Sequence, residues 1–137
     1  MTISLLISIY PRHWAVIKNR KKNFEFRPWN ISSEKTIDLW VYETSPTKAL
    51  KYKLIVAPAI IELSKTQHYF MSDELFYQYI DEGKYAYEII GLEYLETPIE
   101  LKELKKMGVT APQNFAYLNK YNELQEKLKK AETKKLF

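Results

Sequence analysis

Cysteine is absent from this chain of 137 residues, which excludes disulfide bonds and thiolate chemistry. Histidine is nearly absent. Only His13 and His68 could supply an imidazole, and their spacing matches no metal-binding pattern, so no metal site is expected. Long hydrophobic runs are missing too. Residues 3–9 are apolar but far too short to span a bilayer, and no charged region precedes them as in a secretory leader. The expectation is a cytoplasmic protein without membrane contact. No internal repeat or low-complexity segment occurs, and no pattern implies a cofactor.

What is present fits one globular domain long enough to bury a core. Aromatic residues make up 15% of the chain and 11 of them are tyrosine, a residue that fills cores but also lines wet pockets and stacks on bases. Positive charge is unevenly spread. Residues 1–28 hold Arg12, Lys18, Arg20, Lys21, Lys22 and Arg27 against Glu25 alone. Cations concentrated beside aromatics suit a polyanion better than a uniformly basic surface would; the bland alternative is a solvated turn.

Alternation and breakers order the chain. Residues 3–9 read as a central strand ended by Tyr10-Pro11, and Pro11 opens a helix to about Lys18 with Trp14 and Ile17 inward. A basic turn over 19–23 leads to a strand over 22–27, in which two phenylalanines oppose Asn23, Glu25 and Arg27. The next strand, 37–43, sets Ile37, Leu39 and Val41 against Asp38, Trp40 and Tyr42, a face partly open to solvent. Thr44-Ser45-Pro46-Thr47 is a turn. Residues 50–63 read as a long strand that Pro58 must bulge, bend or hold at an edge.

Residues 72–82 form the clearest helix. Ser72 is its N-cap, Met71 and Phe76 its staple, Gly83 its C′ residue, and Leu75, Phe76, Tyr79 and Ile80 its buried face. A strand over 84–90 continues past Gly91 to Leu95. A short helix over 101–107, an irregular segment to Tyr117 and an amphipathic helix from Leu118 to about Lys134 follow, the lysine-rich end fraying. Strands that do not alternate with helices argue for an α+β, mainly β domain: a small, mostly antiparallel or mixed barrel with flanking helices. Residues 1–118 would form the domain, and 119–137 a C-terminal amphipathic helix packed on it.

Four stretches bear a further resemblance. They are Leu-Ile-Ser-Ile-Tyr-Pro-Arg-His-Trp (6–14), Lys-Lys-Asn-Phe-Glu-Phe-Arg (21–27), Val-Tyr-Glu-Thr-Ser-Pro-Thr-Lys-Ala (41–49) and Ala-Pro-Gln-Asn-Phe-Ala-Tyr-Leu (111–118). In this order the chain resembles the ASCH group of the PUA-like superfamily, in particular its small phage and prokaryotic members, over roughly residues 3–118. The resemblance implies a PUA-like barrel whose cleft collects these stretches. It matches Lys22, Glu25 and Arg27 to a hairpin, Thr44, Ser45 and Pro46 to a post-strand turn, and Gln113, Phe115 and Tyr117 to a late segment. Two positions depart from the pattern. Arg20 replaces a glycine, so the turn loses an easy positive φ, and Asn114 replaces a serine.

The resemblance also implies a ligand class, RNA or a modified nucleoside, and for a subset ribonuclease or nucleoside amidohydrolase chemistry. On the residues, Glu25 and Arg27 share a strand face and can pair; the bland reading is a brace inside the barrel. Arg12, Lys18, Arg20, Lys21 and Lys22 would contact the nucleic-acid backbone. Glu25, Arg27, Tyr42, Thr44, Ser45, Gln113 and Tyr117 would line the pocket. Tyr10, Trp14 and Trp40 are candidate stacking surfaces, Trp14 more simply core. Catalysis, if present, would fall to Lys22, Glu25 and Thr44, although nothing in the sequence marks them for it. His13 is more simply a surface residue at the cleft mouth. A third reading is a phage-encoded interaction factor that uses the C-terminal helix to meet a protein partner or a second copy of itself.

Overall fold

The structure is a computed structural model describing residues 2–64 and 69–137, so His68 lies outside the described residues. Its spine is one long strand, β5 (Tyr85–Glu100). Strands β1 (Ile3–Ile9), β2 (Phe24–Arg27), β3 (Ile37–Glu43), β4 (Ala49–Val56), β6 (Ala116–Tyr117) and β7 (Thr133–Lys135) join it in the order β2-β5-β4-β3-β1-β6, with β7 also on β5. Every pairing is antiparallel except β1 with β3, where Leu5 lies opposite Leu39 and Ile7 opposite Val41. The sheet curls so far that Arg27 on β2 reaches the carbonyl of Ser8 on β1, Nη2 to O 3.0 Å, although three strands separate them in the sheet. It is a mixed, curled half-barrel.

Gly91 helps that curl. A Cβ there would stand 3.0 Å from Ile55 Cδ1 and 3.2 Å from Ile55 Cβ, at the point where the β4–β5 register shifts. A side chain there would press on Ile55, so glycine eases the close approach of the two strands.

Inside the curl lies a core of Leu5, Ile7, Leu39, Val41, Leu54 and Tyr87 with their neighbours. The alternation in β3 separates two faces as expected, but Trp40 and Tyr42 are not open to solvent: both are buried in a second core. α3 (Leu101–Lys106) and α4 (Asn122–Lys130) cover that outer face with Leu104, Leu124 and Leu128. Strand periodicity reports which side chains share a face; it does not report what covers them.

Local signals hold where they are local. In α2 (Asp73–Asp81), Ser72 Oγ accepts from Leu75 N at 3.2 Å, and Gly83 has φ +88° with its N–H donating to Ile80 O. Met71 packs with Phe76, but Phe76 is the buried residue of this helix and Leu75 is exposed: Phe76 packs into the cluster of Phe24, Phe26 and Ala86, and Leu75 does not join it.

Three expected elements end or continue differently. β4 stops at Val56, two residues before Pro58, and beyond it the described residues keep an Ala57 N to Glu88 O hydrogen bond and an Ile60–Ala86 bridge to β5. β5 runs on past Leu95 to Glu100. The last helix ends at Lys130 after a single 3-10 turn (Leu118–Lys120), and the lysine-rich end pairs as β7 instead of fraying. Leu136 N donates to Leu92 O at 2.8 Å and Thr133 Oγ1 to Glu93 Oε1 at 3.0 Å, while Phe137 packs on the inner core. The pairing partner lies some forty residues away, so helix-like local composition yields to it.

The turn at Arg20 corrects another expectation. It keeps a positive φ, +65°, without glycine. Lys21 N and Lys22 N both donate to Val16 O at 2.9 Å, closing the end of α1 (His13–Lys18), and the Arg20 guanidinium lies 4.4 Å from the Phe137 ring centre. These contacts offset a left-handed residue's cost of about 1 kcal/mol.

Candidate functional site

Where β2 approaches β1, a groove of about 760 Å³ opens between the two strand ends and the loop 111–114. Pro11 ends β1 here because it cannot continue a ladder, and Pro28 follows β2 in the same way. Glu25 forms the floor. It is 5% exposed, and among the described residues Glu25 and Glu43 are the buried charged side chains. Its Oε1 accepts from Arg27 at 3.2 Å and its Oε2 lies 2.9 Å from Lys22 Nζ. Burial pushes the Glu25 carboxyl up, but Lys22 and Arg27 outweigh it and hold it below the usual carboxylate range.

Ser8 ties three walls together. Its carbonyl accepts from Arg27, and its hydroxyl donates to Pro112 O at 2.7 Å. Thr44 N donates to Ile9 O at 3.0 Å, while Thr44 Oγ1 is buried with no hydrogen-bond partner among the described residues. Tyr42 closes the inner side, its phenol pushed up by burial. Tyr10 is 59% exposed on the rim, with the Arg12 guanidinium 4.9 Å from its ring centre. Gln113 and Asn114, both exposed, also line the groove.

Arg12, Glu25, Arg27, Tyr42, Thr44 and Gln113 therefore line one groove, as do Tyr10 and His13. The other candidates stand elsewhere. Lys21 and Lys22 line a second groove of about 470 Å³ on the far side of Glu25, which His13 also lines. Lys18 lies over the Trp14 ring, Arg20 over Phe137, and Ser45 is exposed in the 44–47 turn. Tyr117 is exposed on β6, its ring against Phe115, which itself stacks on Trp29. Trp14 is partly buried against Tyr52, ring centres 4.7 Å apart.

Lys84 lines the groove unanticipated by the sequence, and Ser8, expected there only as part of the 6–14 stretch, had no role of its own. A serine within an apolar strand just before its proline stop was the available signal for Ser8. Lys84, a lone lysine after a helix end, carries none. His13 is drawn in by Lys22, whose Nζ lies 3.5 Å from its Nδ1. An ammonium has only donors, so a hydrogen bond there uses the tautomer in which Nδ1 accepts and Nε2 carries the proton. Burial first, then Lys22, lowers its pKa and keeps the ring neutral near pH 7.

Deeper in, Tyr52 is fully buried and its hydroxyl has no hydrogen-bond partner among the described residues. Burial, with the fields of Glu25 and Glu43, pushes the phenol well up. Glu43 is held by Thr47 Oγ1 at 2.7 Å and Lys51 Nζ at 3.3 Å, which braces the 44–47 turn. Tyr52→Phe is expected to leave stability unchanged or raise it by about 1 kcal/mol, since it deletes an unpaired buried polar group. Urea denaturation checks this; a loss above about 1 kcal/mol would show that the hydroxyl is bonded.

Among the described residues, no three His, Asp or Glu side chains cluster as metal ligands, and no helix is long and apolar enough to cross a membrane.

The chain is thus a curled, mostly stranded α+β half-barrel with flanking helices and a polar groove where its strand ends meet. This fold is the one seen in crystal structures of ASCH. The chain superposes on crystal structures of ASCH from Zymomonas mobilis: on ASCH itself at a TM-score of 0.63 with 20% identity, covering 94% of this chain and 96% of that one. A tyrosine-to-phenylalanine variant gives 0.68 with 20% identity, covering 94% and 99%. A serine-to-alanine variant gives 0.67 with 21% identity, covering 94% and 96%. No family model and no curated protein matches the sequence.

Proposed function

We propose that this protein is a cytoplasmic nucleic-acid-binding module that holds a nucleoside of single-stranded RNA, or a modified nucleoside, in the groove floored by Glu25 and Arg27. The observation that supports it most is the composition of that groove. A fixed carboxylate–guanidinium pair lies at the bottom, an exposed tyrosine backed by Arg12 stands on the rim, and the amides of Gln113 and Asn114 also line the groove. Tyr10 offers a face for stacking, the amides can read a base edge, and Arg12 and Lys84 suit phosphate. The ASCH-like fold is compatible with this reading.

Binding is favoured over catalysis by the state of Glu25. A carboxylate neutralised by two cations, with its pKa held down, is a weak general base at neutral pH. Affinity for a short single-stranded RNA is expected to fall about tenfold between roughly 50 and 200 mM salt, as for about two to three phosphate contacts. Arg12→Ala should weaken binding about threefold to tenfold and flatten the salt slope by about one contact. Fluorescence anisotropy measures both. Absence of binding at low salt, or an affinity indifferent to salt and to Arg12, would remove the reading. Cleavage of the RNA or of an acylated cytidine that is lost in Lys22→Ala would replace it with the hydrolase alternative.

A further inference from the structure

The groove does not end at Glu25. The second groove, about 470 Å³, shares His13, Glu25 and Phe26 with the first, so the two are separated by one wall only. Glu25 divides its oxygens between them: Oε1 faces Arg27 in the first groove, and Oε2 faces Lys22 in the second. Each groove thus has its own cation, anchored by the same carboxylate.

The second groove differs in chemistry from the first. Its wall is apolar and aromatic, made by Met71, Leu75 and Tyr79 against Phe24 and Phe26, and Lys21 and Lys22 stand on its rim. The rings of Phe26 and Tyr79 lie 4.6 Å apart, and Lys84, which lines the first groove, sits 4.9 Å from the Tyr79 ring centre. Leu75 is 39% exposed, so this apolar surface is open. The segment entering α2 is held beside it by the Asn23 side chain, whose Oδ1 accepts from Phe70 N at 2.7 Å. An apolar, aromatic wall with lysines along one rim suits a flat base attached to a phosphate; a free nucleoside would fill one groove and leave the other unused.

Resting on the binding reading above, we propose that the ligand is a single strand of at least two nucleotides, laid across the His13–Phe26 wall with one base in each groove. The linking phosphate would lie beside Lys22 and His13, where the two grooves meet. The first base meets polar groups able to read its edge; the second meets a surface that accepts any base by stacking.

The test compares the dinucleoside monophosphate UpU with uridine monophosphate, and ApA with adenosine monophosphate, by calorimetry or competition. The dinucleotides carry less charge than the mononucleotides, so tighter binding cannot come from electrostatics. They are expected to bind about tenfold more tightly. In the variant Leu75→Ser, an exposed and uncharged position that lines only the second groove, that advantage should largely disappear while mononucleotide affinity stays the same. Mononucleotides binding as well as dinucleotides would overturn the two-groove proposal and leave the binding reading standing. A dinucleotide advantage that survives undiminished in Leu75→Ser would also overturn it, placing the second base elsewhere. No binding of either kind, with no binding of longer RNA, would remove both.

Discussion

Glu25→Gln is expected to lower the free energy of unfolding by about 3 kcal/mol, near the bottom of the range for breaking a buried ion pair. The carboxylate joins two cations, Lys22 at 2.9 Å and Arg27 at 3.2 Å, and an amide neutralises neither. Lys22, 21% exposed in its side chain, can turn toward water, which limits the loss. Arg27 cannot leave as easily, because Nη2 is also held by Ser8 O. The same substitution should spoil the groove, since Arg27 loses the partner that orients its fork.

Acid should act on the same cluster. Glu25 has a lowered pKa in the folded protein, so the unfolded chain takes up its proton first and the stability this group contributes is lost as pH falls below about 4.3 and through the folded value. His13, also lowered, stays neutral when folded, so protonation of the unfolded chain begins to cost stability below about pH 6.5. The signs agree: stability should decline in two stages from neutral pH downward. In Glu25→Gln the lower stage should shrink and the upper stage persist. Thermal unfolding from pH 3 to 8 measures both, and an unchanged lower stage in the variant would refute the role given to Glu25.

Truncation after Asn119 should unfold the protein. The removed segment carries Leu124, 0% exposed, and Leu128, 6% exposed, which seal Leu6, Trp40, Leu95 and Leu104 from water. Two buried leucines at about 2–5 kcal/mol each, with strand β7 lost as well, match the entire stability of a small domain. The single change Leu124→Ala should cost about 3 kcal/mol and leave a folded protein. Circular dichroism and urea titration decide. A truncated chain that stays folded with its midpoint unchanged would show that the helix is an accessory.

The position of the last segment bears on the idea that the C-terminal helix serves as a docking arm. Its apolar residues Leu124 and Leu128 are turned onto the sheet, and the face left to solvent carries Glu123, Glu126, Lys127 and Lys129. A partner would meet charge there, which supports the helix as part of this chain's own outer core.

Much of this protein follows from its sequence alone, because the forces concerned act over a few residues. Ser72 caps α2, Gly83 ends it, Pro11 stops β1, and the alternation through β3 separates two sets of side chains. The pairing of Glu25 with Arg27 was legible for the same reason, since residues two apart on a strand share a face. The tertiary structure alone decided what lies opposite each face. Curling of the sheet carried Arg27 to Ser8, nineteen residues away, and docking of α2 on β2 made the second groove; β5, by pairing with the chain end, turned a lysine-rich tail into a strand. Those contacts join segments whose local patterns are independent of one another, so no periodicity within either segment can report them.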